Sequence, residues 1–371
     1  MGPNEQAGSG DVSSKPIVCF LGPISSYTHQ ATMQAFPADQ FDLMPVTTIK
    51  DIFDTTQSGA ASYGVVPFEN STNGSVVFTL DNFADRSNVY GDLNVCQEIY
   101  LDVHHCLLGY VDKSTPAPTS PITPGTKDMG TNKEAGASGQ QAPTARSRPL
   151  QPISHVRRVY SHPQAFGQCT AFLQSWLRGI ETVDVSSTSR AAELALADTS
   201  GSSAAISSAA AAELLGLDVL ARNIEDREDN TTRFFVLRKG EAALSTSPAT
   251  TATPATIILL EKTEEGEGKG EEDDDAELLS STKSLLSFTV PHRSPGALAD
   301  VLSCFRRGGL NLTSINSRPS LTGAAAFEYV FFVEFEGHRF RDPRGRVARV
   351  LEDVAAVART SRWLGSWDNM G

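Results

Sequence analysis

Apolar and polar positions form two patterned stretches along the chain, and low-complexity sequence separates them. In the first stretch, short apolar runs such as Ile17–Leu21 alternate with amphipathic segments such as Ile49–Ser58. The pattern predicts strands at residues 17–21, 41–46, 63–67, 156–160, 182–185 and 204–206, and helices at 27–36, 49–58, 164–177, 189–197 and 209–215. This alternation indicates parallel sheets with helices on their faces, in which ligands bind at the carboxyl ends of strands.

The second stretch has a different order of elements, which is strand, helix, strand, strand, helix. The elements lie at residues 285–290, 296–307, 310–317, 327–335 and 347–359. This order predicts an antiparallel sheet with two helices on one face. We therefore expect a separate α+β domain at residues 282–367.

Three segments are too poor in large apolar residues to build a core. Residues 112–152 are rich in Pro, Gly, Ser and Thr, residues 241–256 are rich in Ala, Ser and Thr, and residues 261–277 contain ten acidic and two basic side chains. Such compositions are typical of loops and disordered segments. We predict an insertion at 112–152 inside a first domain at 15–239, and a linker at 240–281.

Charge and cysteine usage exclude several classes of protein. The formal net charge is −13, of which −8 lies in the acidic segment, and no cluster of Lys and Arg is available to contact nucleic-acid phosphates. The five cysteines are widely spaced without a C-x-x-C pair, so neither a disulfide framework nor a structural zinc site is expected. No apolar run approaches the roughly 18 residues of a membrane span. With no targeting signal in residues 1–15, we expect a cytoplasmic protein.

Four polar motifs follow or enter predicted strands, where an α/β protein has its binding site. GPISSYTHQ at 22–30 follows the first strand, so Ser25 or Ser26 is either an ordinary helix cap or part of an anion site at the helix terminus. PFENSTNG at 67–74 ends a strand, so Glu69 and Asn70 are either turn formers or ligand-binding groups.

The other two motifs leave similar alternatives open. YSHPQAFGQC at 160–169 contains a capping box, Ser161 with Gln164, but capping does not explain Gln168, which follows on the same helical face and needs hydrogen-bond partners if buried. In NIEDREDNTTRFFVL at 223–237, Thr232 and Arg233 fit either a strand with a structural salt bridge or a binding site.

Several kinds of chemistry lack their usual motif. The chain has no glycine-rich phosphate loop, no G-x-S-x-G elbow and no metal-ligand spacing around His104 and His105, for which we expect structural or surface roles. No cofactor and no metal are therefore expected. The hydroxyls, amides and helix N-termini that remain suit a small anion whose reaction requires positioning more than a strong nucleophile.

FLGPISSYTHQAT, GVVPFENSTNGSV, YSHPQAFGQC and NIEDREDNTTRFFVL occur in the order and approximate spacing of the prephenate dehydratase family. The later segments SLLSFTVPHRSPGALADVL, SINSRPS and FEYVFFVEFEGH resemble the ACT regulatory domain that usually follows. The resemblance implies a two-lobed α/β catalytic domain like type 2 periplasmic binding proteins, followed by a ferredoxin-like ACT domain. Lobe 1 would contain residues 15–75 and 224–239, and lobe 2 residues 76–223. The crossings would lie near 75–77 and 223–230, with the active site between the lobes.

The family's reaction implies roles for the polar residues. The family catalyses the decarboxylating dehydration of prephenate to phenylpyruvate, a hydro-lyase step of phenylalanine biosynthesis. By resemblance, Thr232 lies near the ring hydroxyl of the substrate and assists its departure, with Glu69 as an alternative donor. The implied substrate-binding residues are Asn70, Ser71, Ser161, Gln168, Ser26 and Arg233, although a structural salt bridge for Arg233 remains an equal alternative.

The ACT resemblance implies feedback inhibition by L-phenylalanine, bound where two ACT domains pair in a homodimer or homotetramer. Gly296, Ala297 and Leu298 match the family's effector motif. The segment Asn316, Ser317, Arg318 and Pro319 stands where the family has E-S-R-P, so one carboxylate is lost and the affinity for phenylalanine stays open. The first catalytic motif also departs from the usual G-T-Y-S-H-Q, with Ser25 and Ser26 before Tyr27.

Two other functions compete with this interpretation. Arogenate dehydratases share the motifs, and only the lack of a plastid-type transit peptide favours prephenate. A non-catalytic phenylalanine sensor would have the same two folds, but the retained Thr232, Asn70, Ser161 and Gln168 argue against it. A fused chorismate mutase is not expected, because only about 16 residues precede the first strand.

Overall fold

The computed structural model describes residues 15–112, 145–240, 277–321 and 327–371. Most of the predicted insertion and most of the predicted linker lie outside the described residues. The described part of the chain forms two mixed β-sheets with helices packed against them. Residues 15–240 are called the N-terminal block below, and residues 277–371 the C-terminal block.

The elements of the N-terminal block alternate as the hydrophobic pattern predicts. The strands are β1 (Ile17–Leu21), β2 (Asp42–Val46), β3 (Tyr63–Asn70), β4 (Gly74–Ser75), β5 (Leu93–Asp102), β6 (Cys106–Gly109), β7 (Arg158–Ser161), β8 (Glu181–Asp184), β9 (Ser203–Ser207), β10 (Asp218–Ala221) and β11 (Thr231–Lys239). The helices are α1 (Tyr27–Ala35), α2 (Ile49–Ser58), α3 (Val77–Phe83), α4 (Pro163–Gln168), α5 (Thr170–Trp176), α6 (Thr188–Ala197) and α7 (Ala209–Leu215).

The N-terminal block is built on two sheets, so the predicted two-lobed α/β architecture is confirmed. The smaller sheet has the strand order β10-β6-β9-β7-β8. The larger sheet contains β5-β11-β3-β1-β2, with β4 paired to β3. The predicted parallel pairing is present in both sheets, where β1 pairs with β2 and β3, and β7 with β8 and β9. Both sheets are nevertheless mixed, because β11 runs antiparallel to β3 and β6 runs antiparallel to β9.

The chain crosses from the larger to the smaller sheet at residues 103–105, between β5 and β6. The predicted first crossing at 75–77 was wrong, because residues 93–102 form β5, which pairs antiparallel with β11 in the larger sheet. The chain returns through residues 222–230, between β10 and β11. His104 and His105 therefore lie in one crossing, and Asn230 lies in the other.

The helix predicted at 164–177 is divided at Cys169 into α4 and α5. The carboxylate of Asp226 accepts hydrogen bonds from the backbone N–H groups of Thr170 and Ala171, both at 3.0 Å, and thus caps α5 from outside the helix. The predicted capping box was wrong as well. His162 is the N-cap of α4, and Ser161 is the last residue of β7.

The C-terminal block has the order strand, helix, strand, strand, helix, strand, with one strand more than predicted. Its elements are β12 (Thr282–Thr289), α8 (Ala297–Gly308), β13 (Leu312–Pro319), β14 (Tyr329–Glu336), α9 (Arg346–Val357) and β15 (Thr360–Asp368). The strand order β13-β14-β12-β15 is antiparallel, and α8 packs against α9. This is the topology of a ferredoxin-like fold.

The sheet of the C-terminal block is continuous with the larger sheet, because β15 lies beside β5. The two strands pair at Gly365, which lies opposite Val95 and has a φ of 143°. A Cβ atom at Gly365 would lie 2.0 Å from the carbonyl oxygen of Val95, so only glycine fits there. Next to this contact, the buried indole of Trp367 packs on Phe235 of β11, with 5.0 Å between ring centroids.

Candidate active site

Thr232 and Asn70 meet where the carboxyl end of β3 pairs with the start of β11. The side-chain amide nitrogen of Asn70 donates to Thr232 Oγ1 at 2.9 Å and to Asn230 Oδ1 at 2.8 Å. Asn70 Oδ1 accepts from the backbone N–H groups of Thr72 and Asn73 at 3.0 and 2.9 Å. Thr232 Oγ1 only accepts in these contacts, and no described residue accepts its proton, so the hydroxyl can donate to a ligand.

Ser71 ties the turn after β3 to the loop that precedes Thr232. Its hydroxyl donates to the carbonyl of Asp229 at 2.7 Å and accepts from the backbone N–H of Thr231 at 3.0 Å. A second bond joins the Ser71 N–H to the Thr231 carbonyl at 2.9 Å. Ser71 therefore holds the two strand ends together, and this accounts for its hydroxyl without a substrate contact.

Gln168 lies at the end of α4, and its carbonyl oxygen faces the two crossings. Gln168 Oε1 accepts from Asn230 Nδ2 at 3.2 Å and contacts His105 Nε2 at 2.8 Å. The structure thus brings three of the predicted residues, Thr232, Asn70 and Gln168, into one hydrogen-bonded cluster, in which Asn230 is the link.

His105 and Tyr27 also belong to this cluster, although sequence reasoning missed them. His105 is only 2% exposed, and its Nδ1 lies 2.8 Å from the hydroxyl of Tyr27. Its backbone N–H donates to the carboxylate of Glu225 at 2.9 Å, while His104 Nδ1 lies 3.0 Å from the other oxygen of Glu225. Burial lowers the pKa of His105, so the imidazole is neutral at pH 7.

The sequence feature that could have identified the two histidines as site residues is their position between two apolar segments. The sequence predicted structural or surface roles for them. They lie in the crossing between β5 and β6, outside both strands. In the described part of the chain, no group of three or more His, Cys, Asp or Glu residues is arranged to hold a metal.

Ser26 and Ser161 use their hydroxyl protons within the fold. Ser26 is the N-cap of α1, where it accepts from the His29 N–H at 3.1 Å and donates to the Leu21 carbonyl at 2.9 Å. Ser161 is fully buried and donates to the Ile206 carbonyl at 3.0 Å. Both hydroxyls therefore support the strand ends around the cluster, and the structure does not direct them to Thr232.

Arg233 lies one residue beyond Thr232 and enters a buried cluster of charges. Its guanidinium donates to Glu98 at 2.8 Å and to Glu334 at 2.7 Å, and Lys283 lies 3.4 Å from Glu98. The side chains of Glu98 and Glu334 are at most 2% exposed. This geometry favours the structural salt bridge over the substrate contact that the sequence left equally open.

Glu69 is separated from Thr232 by the alternation of side chains along β3. Glu69 pairs with Arg233 in the ladder, whereas its neighbour Asn70 pairs with Thr232, and consecutive strand residues point to opposite faces. The charge of Glu69 also acts on Tyr100, and the guanidinium of Arg233 lies over the Tyr100 ring. Glu69 and Arg233 are therefore on the same side of the sheet. The structure does not support Glu69 as the proton donor, and Thr232 is the better candidate.

Comparison with known proteins places the chain in a family. The family model for prephenate dehydratase matches residues 18–120 and 145–242. The chain belongs to the prephenate dehydratase family. The prephenate dehydratases are hydro-lyases, and this chain is an enzyme of that class. The cluster around Thr232, at the meeting of the two crossings, is therefore the candidate active site of a prephenate dehydratase.

Individual relatives agree with this assignment. The chain is 31% identical to the bifunctional chorismate mutase/prephenate dehydratase of Aquifex aeolicus, over 96% of this chain and 74% of that protein. It is 28% identical to the chloroplastic arogenate dehydratase/prephenate dehydratase 1 of Arabidopsis thaliana, over 87% of this chain and 65% of that protein. A prephenate dehydratase of Arthrobacter aurescens, solved in complex with L-Phe, has the same fold, with a TM-score of 0.67 and 24% identity over 95% of this chain and 90% of that chain.

No helix in the described part of this family member is long and apolar enough to cross a membrane.

Proposed function

We propose that this enzyme converts prephenate to phenylpyruvate, water and carbon dioxide. The observation that carries the proposal is the hydroxyl of Thr232, whose oxygen accepts from Asn70 and whose proton is directed to no described residue. The family assignment and the arrangement of Thr232, Asn70 and Gln168 at the crossings support the same reaction.

The reaction needs little more than assistance to a leaving group. Loss of the ring hydroxyl together with the ring carboxylate makes the ring aromatic, which provides the driving force. Thr232 donates a hydrogen bond to the departing oxygen, and the hydrogen bond from Asn70 strengthens this donor by polarising the hydroxyl. A threonine hydroxyl is a weak acid, so the proton that completes the water comes from solvent through Thr232.

The first test measures phenylpyruvate by its ultraviolet absorbance after purified enzyme is mixed with prephenate. Thr232→Val removes the donor, and we expect kcat to fall by roughly 10² to 10⁴. Thr232→Ser keeps a hydroxyl and should retain most activity. The matched control is Thr231→Val, because the Thr231 hydroxyl donates to Asp102 outside the cluster. Unchanged kcat in Thr232→Val would exclude the role of Thr232, and no product from the wild-type enzyme would exclude the reaction.

Arogenate is the alternative substrate, because the Arabidopsis relative is named for both activities. L-arogenate differs from prephenate by an amino group in place of the keto group. The same assay with L-arogenate, read as phenylalanine formed, compares kcat/KM for the two substrates. A larger value for L-arogenate would replace prephenate in the proposal.

We propose further that the C-terminal block is an ACT domain that inhibits the enzyme when it binds L-phenylalanine. Its ferredoxin-like topology supports this, and the Arthrobacter relative was solved with L-Phe bound. Gly296, which begins the expected effector motif with Ala297 and Leu298, has a φ of 84° and precedes the first turn of α8. We expect the effector to bind where two such domains pair, in a homodimer or homotetramer that light scattering would detect.

The segment at 316–319 offers a physical link between effector and active site. Asn316 Oδ1 accepts from Ser75 Oγ at 2.8 Å, and Arg318 binds Asp81 of α3 with distances of 2.8 and 3.0 Å. Ser75 in turn pairs with Glu69, next to Asn70. A ligand that moves residues 316–319 would therefore act on the turn that carries Asn70.

Asp81→Asn tests this link without altering an expected effector residue. Because it weakens the attachment of Arg318 to α3, we expect the phenylalanine concentration for half-inhibition to rise by about fivefold or more. Activity without phenylalanine should change little, and the exposed Asp54→Asn serves as the control. An unchanged half-inhibitory concentration would show that inhibition does not pass through this contact.

A further inference from the structure

We propose that His105 is a positioning residue, which fixes the amide of Gln168 so that Gln168 presents an N–H donor to an anionic substrate. The inference deepens the proposed function, on which it rests, because it assigns the task of a buried histidine that the reaction itself does not use.

Backbone N–H groups fix the direction of the hydrogen bonds in the cluster, because these groups can only donate. Asn70 Oδ1 must be the acceptor for the N–H groups of Thr72 and Asn73, so its nitrogen faces Asn230. Asn230 Oδ1 then accepts, and its nitrogen donates to Gln168 Oε1 at 3.2 Å. Each amide orients the next, so the carbonyl of Gln168 faces inward and its NH₂ group is the end left for a ligand.

His105 secures the same orientation from the other side. Its Nε2 lies 2.8 Å from Gln168 Oε1, a shorter contact than that from Asn230, and must carry the proton because Oε1 can only accept. If Gln168 were flipped, its NH₂ group would face the amide donor of Asn230, and His105 would have to change tautomer to accept from it. The reversed amide would also present lone pairs to a carboxylate, which repels them.

The surroundings of His105 hold its ring in this state. Nδ1 lies 2.8 Å from the Tyr27 hydroxyl, which is closer to Nδ1 than to its other acceptor, the His104 carbonyl at 3.1 Å. The Tyr27 and His105 rings are in edge contact with 5.8 Å between centroids. The Glu225 carboxylate holds the backbone N–H of His105 at 2.9 Å. Both ring nitrogens are thus engaged by Tyr27 and Gln168, and the ring is buried. His105 therefore acts through Gln168 and does not touch the reacting atoms.

The experiment is a double-mutant cycle between His105 and Gln168. A glutamine at 105 brings its amide nitrogen to about the place of imidazole Nε2, whereas an asparagine is too short to reach it. We expect His105→Asn to raise KM for prephenate by roughly tenfold or more while kcat stays within about threefold. His105→Gln should restore KM to within about threefold of the wild-type value.

The cycle separates positioning from a structural role. In a Gln168→Ala background, His105→Asn should raise KM no further, because its effect passes through Gln168. Full multiplication of the two effects, or equal KM values in His105→Gln and His105→Asn, would overturn the inference.

Calorimetric dissociation constants for prephenate repeat the same cycle in a Thr232→Val background, in which turnover is slow. If the wild-type chain binds prephenate but does not convert it, the proposed reaction fails while the cycle still decides the role of His105. Absence of prephenate binding would overturn both.

Discussion

Replacement of Arg233 by methionine should lower the free energy of unfolding by about 3–5 kcal/mol, the cost of removing one partner from a buried ion pair. Arg233 binds both Glu98 and Glu334, and Lys283 lies 3.4 and 3.8 Å from the same two carboxylates. The four side chains are at most 9% exposed, and their charges sum to zero. The variant leaves one ammonium for two buried carboxylates, with a net charge of −1.

If unbalanced charge causes the loss of stability, a second substitution that restores the balance should recover part of the free energy of unfolding. A double variant, Arg233→Met with Glu334→Leu, again has balanced charges, because Lys283 and Glu98 remain as a pair. Replacing a buried ion pair by apolar side chains is often nearly neutral. We therefore expect the double variant to be more stable than Arg233→Met alone.

The assay is urea unfolding at pH 7, followed by far-ultraviolet circular dichroism and tryptophan fluorescence. Arg227→Met is the matched control, because Arg227 pairs with Asp229 at the surface, where both side chains are about two-thirds exposed. Its midpoint should not change. A loss below about 1 kcal/mol in Arg233→Met, or a double variant no more stable than the single one, would refute the reasoning from buried charge.

Two further predictions concern the junction of the blocks and acid stability. Gly365→Ala places a methyl group 2.0 Å from the Val95 carbonyl, so we expect loss of soluble protein or of protease resistance, whereas Gly91→Ala, with open space around its Cβ, should behave as wild type. Burial lowers the pKa of His338 to about 3, so the unfolded chain binds more protons between pH 6.5 and 3, and stability should fall as pH falls through this window. In His338→Gln this part of the decline should be absent from unfolding curves measured across the window. An equal decline in both proteins would contradict the assignment to His338.

Helices with local capping signals were predictable from sequence. The bounds of α2 and α7 agree with the predicted ranges, because Thr48 and Ser208 cap their starts, and Gly59 and Gly216 follow their ends in the left-handed conformation. Both signals lie next to the helix in sequence. Thr232, Asn70 and Gln168 could likewise be predicted as candidate site residues, because they are polar and lie near the ends of strands and helices.

The features that sequence reasoning missed depend on partners far away in the chain. The break between α4 and α5 is stabilised by Asp226, more than 50 residues later. His105 meets Tyr27 across 78 residues and Gln168 across 63. Arg233 was left undecided because its partner Glu334 lies 101 residues away in the other block. No local pattern contains such pairings.

The shared sheet also limits how the chain can be divided or redesigned. A fragment that ends after β11 would expose the edge of β5 and leave Phe235 without the indole of Trp367. Unpaired strand edges invite association between molecules. Exchange of the C-terminal block for another domain therefore requires a replacement strand beside β5 and an aromatic side chain against Phe235, which a flexible linker alone would not supply.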